Sequence, residues 1–264
     1  MDHKAKAVWN EWSDTWYRQY RTEEAIAKLI DNPASAFHPA AFALLNKALP
    51  SFQGKKICVP SSGDNHAVFA FHLLGAQVTS CDISERQLEN SEAIARQYAW
   101  DIEFVCDDTM ELSKLQSGAY DLVYTSNGVH IWIHDLASMY TQIHRILKDQ
   151  GTYLMYDVHP FNRPFGKNTD TLQVVYPYDS IIRYENDEIP RYAWRVQDLL
   201  NAIVSSGLSL KQIEEMADEA GSFWIDDSQQ ERDGVSKEEL DRLCSWQSNP
   251  LAALPQWLSI YAVK

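Results

Sequence analysis

The chain has 264 residues, a length that favours one large α/β domain, with or without a modest second lobe, over two independent domains. Its 37 acidic residues against 23 basic ones give a formal charge of −14 with no lysine or arginine block, which argues against unspecific binding to nucleic acid or anionic membranes. No apolar run reaches membrane-spanning length, residues 1–7 are charged rather than a signal core, and Cys58, Cys81, Cys106 and Cys244 show no CxxC spacing, so a cytoplasmic protein without disulfides is expected.

Trp9, Trp12, Trp16 and Tyr20 recur at spacings of three and four and therefore share one face of an N-terminal helix. That stripe either packs on the helices of the core or forms a lid over a ligand cleft. The organisation expected is a helical cap over residues 1–50 and a ligand-binding domain over 51–264. A strand at 57–59 opens the core, a loop at 61–65 follows, and Asn65 is placed to cap a helix over 67–74 that Gly75 closes. The second strand, 77–81, ends in Asp82. Ser84 and Gln87 have the spacing of a capping box for a helix over 84–98.

Strands at 102–105 and 120–124 come next. Leu136, Met139, Ile143, Ile146 and Leu147 then recur at helical spacing up to Lys148, and a fifth strand is expected at 152–157. Residues 161–192, rich in proline, tyrosine and arginine, read as an insert, and long loops in compact domains often carry function. A helix at 196–204, a strand at 208–216, an acidic excursion at 226–239 and a closing strand at 257–263 complete the chain. Short strands alternating with helices define an α/β, doubly wound, mostly parallel sheet, here of seven strands, with right-handed crossovers.

Such sheets bind ligands outside the carboxyl ends of their strands, where strand order reverses. The candidates are therefore the 61–65 loop, Asp82, the 106–110 segment and the 125–130 segment. Gly63 is the one glycine in a loop where a dinucleotide fingerprint needs three, so a nucleoside ligand without a diphosphate is expected.

The order of a glycine-bearing loop after strand one, an acid closing strand two, an acid after strand three and Tyr120-Asp121-Leu122-Val123 in strand four resembles the class I S-adenosylmethionine-dependent methyltransferases. The run from Arg145 through Leu147 and Lys148 to Gly151 is similar to the segment that precedes strand five in small-molecule members. The resemblance implies a Rossmann-like methyltransferase fold and S-adenosylmethionine as cofactor. It implies that Ser61, Ser62, Gly63 and Asp64 lie against the methionine moiety, that Asp82, with Ile83 beside it, accepts from the ribose hydroxyls, and that Asp108 with Thr109 meets the adenine. Ser126 and Asn127 would add contacts from the end of strand four. The family's usual Asp-Leu-Gly-Cys-Gly-Thr-Gly is Val59-Pro60-Ser61-Ser62-Gly63-Asp64-Asn65 here, which removes two glycines and brings in the Asp64 carboxylate.

Each residue also has a plainer reading. Asp82 could be a helix-start acid, Gln87 a cap, and Ser126 and Asn127 turn formers. Of the adjacent Asp107 and Asp108, one is expected to face solvent. His130 is the first candidate for a general base and His159 the second, each with a structural alternative. His130, His134 and Asp135 straddle a loop-to-helix boundary where Asp135 serves better as an N-cap, so no metal is expected. Trp16, Tyr20 and Trp132 are candidates for a mostly apolar acceptor pocket.

The function expected is methyl transfer to a small or medium organic acceptor by a monomer or homodimer, with no nucleic-acid or membrane partner. The alternatives are a non-catalytic ligand-binding or interaction protein on the same fold and, less favoured because of the missing glycines, a nicotinamide-dependent oxidoreductase.

Overall fold

In the computed structural model the residues described are 3–166, 170–183, 189–219, 221, 223–225 and 235–264. Three helices, α1 (His3–Tyr20), α2 (Glu23–Asp31) and α3 (Pro39–Ala48), precede the alternation of strands and helices. The core then runs β1 (Lys56–Pro60), α4 (His66–Leu73), β2 (Gln77–Asp82), α5 (Glu85–Gln97), β3 (Ile102–Cys106), β4 (Tyr120–Ser126), α6 (Leu136–Ile146) and β5 (Leu147–Val158). A two-stranded ribbon, β6 (Ile182–Arg183) and β7 (Arg191–Tyr192), lies in the insert. After it come α7 (Val196–Ser205), β8 (Ser209–Met216), α8 (Lys237–Cys244) and β9 (Trp257–Val263).

The main sheet has seven strands in the order β3-β2-β1-β4-β5-β9-β8. Pairing is parallel from β3 through β5, and β9 runs antiparallel to both β5 and β8. The order reverses at β1, which lies between β2 and β4, so the loops after these strands meet at one edge. Strands β1 and β2 are buried on both faces after their first residue, as parallel strands covered by helices must be.

Local chemistry sets the helix starts that shape this edge. The Asn65 side chain accepts from the Ala67 amide at 2.9 Å to begin α4, and Asp135 accepts from Ser138 at 3.0 Å to begin α6. At α5 the Ser84 hydroxyl accepts from the Gln87 amide, but the reciprocal half of the expected capping box is absent. The Ser84 amide bonds Asp82 instead, and Gln87 packs over Gly63, where a Cβ would stand 2.5 Å from Gln87 Oε1. The fifth strand also starts earlier than its apolar spacing indicates. Leu147 already pairs with Tyr120, and the chain bends at Gln150 (φ 63°) and Gly151 before pairing resumes at Thr152.

The N-terminal helices contribute to the core. Ile26, Leu29, Phe37, Leu44 and Leu45 are buried in one cluster with Phe69, Phe71 and Tyr124. Helix α1 rests on α5 through polar ties: Ser84 Oγ donates to Asn10 Oδ1 at 2.7 Å, Arg86 pairs with Asp14 at 2.8 Å, and Lys6 pairs with Glu85. On its other flank Trp9 and Trp12 meet each other and Trp132 edge to face, with centroids 5.1–5.9 Å apart. Arg191 of the insert lies over Trp132 at 5.4 Å. The side chain of Trp16, Tyr184 of the insert and 226–234 of the acidic excursion lie outside the described residues, while α8 occupies the excursion's last part.

Candidate active site

The site is built on the reversal at β1. Ser61 (φ 49°) and Gly63 (φ 51°) both adopt left-handed backbone, which turns the 61–65 loop sharply between β1 and α4. Asp82 lies beneath this loop at the end of β2. Its Oδ2 accepts from the Gly63 amide and its Oδ1 from the Ser84 amide, each at 2.8 Å. The carboxyl is buried, which raises its pKa to about 6 even though the Ser84 and Gly63 amides favour the charged form. Each oxygen keeps acceptor capacity beyond its one amide, so the group remains able to receive two further donors.

The neighbouring elements close around it. Ser61 Oγ and Thr109 Oγ1 are 2.7 Å apart, which links the loop after β1 to the loop after β3. Asn65 Nδ2 donates to Ser126 Oγ at 2.9 Å and so reaches the end of β4. Ser62 turns inward, its hydroxyl 2.8 Å from Ser80 Oγ, and so holds the loop to β2 rather than pointing outward. Asn127 is exposed with φ 63°, a turn position that leads into Gly128, while Ile83 accepts through its carbonyl from the Cys106 thiol.

Both aspartates after β3 are buried, against the expectation that one faces solvent. Asp107 accepts from the Asp108 amide at 2.9 Å and the Lys114 amide at 2.7 Å, and Asp108 accepts from the Met110 amide at 2.9 Å. A tight loop whose amides have no strand partner takes these carboxylates as substitutes.

The altered loop gains a partner that no local spacing indicates. Arg21, just beyond α1, donates from Nη2 to Asp64 Oδ1 at 3.0 Å and from Nε to the Asp64 carbonyl. Burial lowers the Arg21 pKa against the pull of Asp64, and Arg21 Nη1 lies 3.4 Å from His66 Nε2. Burial, together with the Arg21 charge, pushes His66 down to about 3, so its ring is neutral. Asp64 Oδ2 is buried with no hydrogen-bond partner.

On the β5 side, His130 is buried with both ring nitrogens engaged. Nδ1 is 2.7 Å from Asp157 Oδ2 and Nε2 is 2.9 Å from Tyr140 Oη. Burial works to raise the Asp157 carboxyl, but His130 and Arg163 outweigh it and hold the group below the usual carboxylate range. His130 and Asp157 line a small cavity with Arg163, Tyr192 and Trp194. The candidate base is a ring held between two protein groups. His159 is fully buried against Glu215 at 2.8 Å, and Asp135 serves as the cap of α6. Among the described residues no group of three or more His, Cys, Asp or Glu gathers to hold a metal ion.

Residues 60–155, which run from the last residue of β1 into β5 and carry the loops after β1 to β4, match the methyltransferase domain family. The protein contains a class I S-adenosylmethionine-dependent methyltransferase domain. No curated protein sequence matches the chain. Among solved structures, an S-adenosylmethionine-dependent methyltransferase from Mesorhizobium loti is 21% identical, with a TM-score of 0.65 over 89% of this chain and 100% of that one. The [4+2]-cyclase SpnF is 13% identical with a TM-score of 0.63, covering 98% and 94% of the two chains. A geranyl diphosphate C-methyltransferase from Streptomyces coelicolor A3(2) is 13% identical with a TM-score of 0.58, covering 85% of this chain and 74% of its own. At these identities the likeness is one of fold.

The methyltransferase edge suits its cofactor in the chemistry of its donor set. A two-oxygen acceptor at Asp82, hydroxyls at Ser61 and Thr109, and the unpaired Asp64 Oδ2 are what a nucleoside bearing an amino-acid tail requires. Among the described residues no helix is long and apolar enough to cross a membrane.

Proposed function

We propose that the protein transfers the methyl group of S-adenosylmethionine to a small or medium organic acceptor, as a cytoplasmic monomer or homodimer. The observation that carries this reading is Asp82, a buried carboxylate clamped by the Gly63 and Ser84 amides at the strand reversal. In this reading Asp82, with Ile83 beside it, receives the ribose hydroxyls. Asp108 and Thr109 border the adenine, Ser61, Gly63 and Asp64 border the methionine part, and Ser126 and Asn127 close the β4 side. Ser62 acts through the loop it pins to Ser80.

When bound, the cofactor supplies an activated methyl group on a sulfonium with a neutral leaving group. The protein's task is then chiefly to hold the acceptor in line and keep water out. Trp132, braced by Trp9 and Trp12, borders the acceptor between the cap and the insert in this reading, with Trp16 and Tyr20 as the further candidates. An acceptor that is already a good nucleophile needs no base. The Asp157–His130–Tyr140 arrangement fits a positioning role, since both ring nitrogens already bond protein groups. The likeness to a [4+2]-cyclase gives weight to a second reading, in which the same fold binds the nucleoside but serves a different reaction.

Calorimetric titration with S-adenosylmethionine, S-adenosylhomocysteine and NAD tests the proposal. Binding of the two adenosyl ligands and not NAD is expected. Binding of NAD alone, or of none of the three, would refute it.

A further inference from the structure

The cap contributes a charge to the altered loop, and that charge is arranged for more than docking. Arg21 reaches the loop from beyond the end of α1, 43 residues away in sequence, and meets both the carbonyl and the carboxylate of Asp64. A buried ion pair is costly unless every lone pair and hydrogen on it is satisfied. This one is not: Asp64 Oδ2 is buried without a partner. Arg21 is also incompletely used, because Nε serves the Asp64 carbonyl, Nη1 faces the Tyr20 carbonyl and His66, and Nη2 makes one bond, to Asp64 Oδ1. A guanidinium has five hydrogens in a fixed fork, so one Nη2 hydrogen is left over. One ion pair thus holds both an unfilled acceptor and an unfilled donor, and its acid belongs to the loop that replaces the family's glycine-rich turn.

From this geometry we infer that Arg21 and Asp64 form a clamp for an α-amino-acid zwitterion, with the ligand's carboxylate on Arg21 and its ammonium on Asp64. A lone arginine or a lone aspartate would select one charge and reject the other. A pair selects a group carrying both, and the ligand's ammonium supplies the hydrogen bond that the buried Asp64 Oδ2 lacks. The neutral His66 ring beside Arg21 adds no competing charge. The inference rests on the methyltransferase reading, because the zwitterion in question is the methionine end of the cofactor. It adds that the N-terminal cap is part of the cofactor site and that the lost glycines are replaced by side-chain recognition.

The test compares two thioether nucleosides that differ only at this end, S-adenosylhomocysteine and 5′-methylthioadenosine, by calorimetry on the full chain. Wild-type protein is expected to bind the first at least tenfold tighter. Arg21→Gln and Asp64→Asn should each lose at least tenfold for S-adenosylhomocysteine and leave 5′-methylthioadenosine unchanged. Equal losses for both ligands, or no loss for either, would overturn the clamp and leave Arg21 as a strut. Should the variants not fold, wild-type protein with decarboxylated S-adenosylhomocysteine decides: a tenfold weaker binding supports the clamp, and undiminished binding overturns it. Wild-type protein that binds no adenosyl thioether would refute the methyltransferase reading itself, and the clamp with it.

Discussion

Acidification should weaken the protein's hold on S-adenosylhomocysteine through one residue. Asp82 titrates at about 6 because it is buried, and only its carboxylate form offers two acceptors to a ribose while receiving the Gly63 and Ser84 amides. If binding requires that form, the apparent Kd scales as one plus the ratio of protonated to ionised carboxyl. Affinity is then nearly constant from about pH 8 to 7 and falls roughly elevenfold by about pH 5. Calorimetry across that range measures the step, and proton release on binding below about pH 6, read from buffers of different ionisation heat, gives an independent count. A flat Kd profile with no proton release would refute the reasoning. The same group acts on stability in the opposite sense. Its folded value lies above its ordinary one, so a stabilising contribution of about 3 kcal/mol is complete at pH below about 3.8 and is lost as pH rises through about 6.

Other substitutions separate binding from folding. Asp82→Ala should lower S-adenosylhomocysteine affinity more than about a hundredfold, since two charge-assisted acceptors vanish. Thermal stability should change little, because relief of the buried charge offsets the two orphaned amides; unchanged affinity would remove the ribose assignment. Asp157→Ala leaves His130 and Arg163 facing a void and should cost about 3–5 kcal/mol in denaturant unfolding. Asp157 is held below its ordinary value, so wild-type protein keeps this contribution above the unfolded value and loses it as pH falls through the folded one, an acid limb the variant should lack. An unchanged denaturation midpoint would show that the network adds nothing. Trp132→Ala removes both edge-to-face contacts to the cap and should cost about 1–3 kcal/mol, with a red shift of tryptophan emission; unaltered emission would mean that the cap is held elsewhere.

Features set by neighbouring residues are legible in the amino-acid sequence. Asn65 and Asp135 begin helices where a capping side chain precedes an apolar period, and Asp82 follows a run of strand residues by the rule that places ligands at strand ends. What stays hidden depends on residues far apart in the chain. Arg21 is an ordinary arginine in sequence, and only the fold carries it 43 residues to Asp64. Gln87 matches a capping box, yet the Ser84 amide it would serve is taken by Asp82, a competition that spacing alone does not register. The inward turn of Ser62 and the burial of both Asp107 and Asp108 come from loops that must satisfy their own amides, a demand set by three-dimensional closure. The early start of β5 hides because Leu147 serves the helical period and the strand equally well.

The two flanks of α1 respond to different solvents. Toward α5 it is tied by Lys6 and Asp14, in partly exposed ion pairs that counter-ions screen over about 8 Å at physiological ionic strength. Toward Trp132 it is held by aromatic contact, which excluded salts strengthen. Raising sulfate concentration therefore loosens one edge of the helix while tightening the other, and α1 pivots about its tryptophans rather than lifting away. Salt identity, as well as salt concentration, thus becomes a handle on how firmly α1 is held against α5.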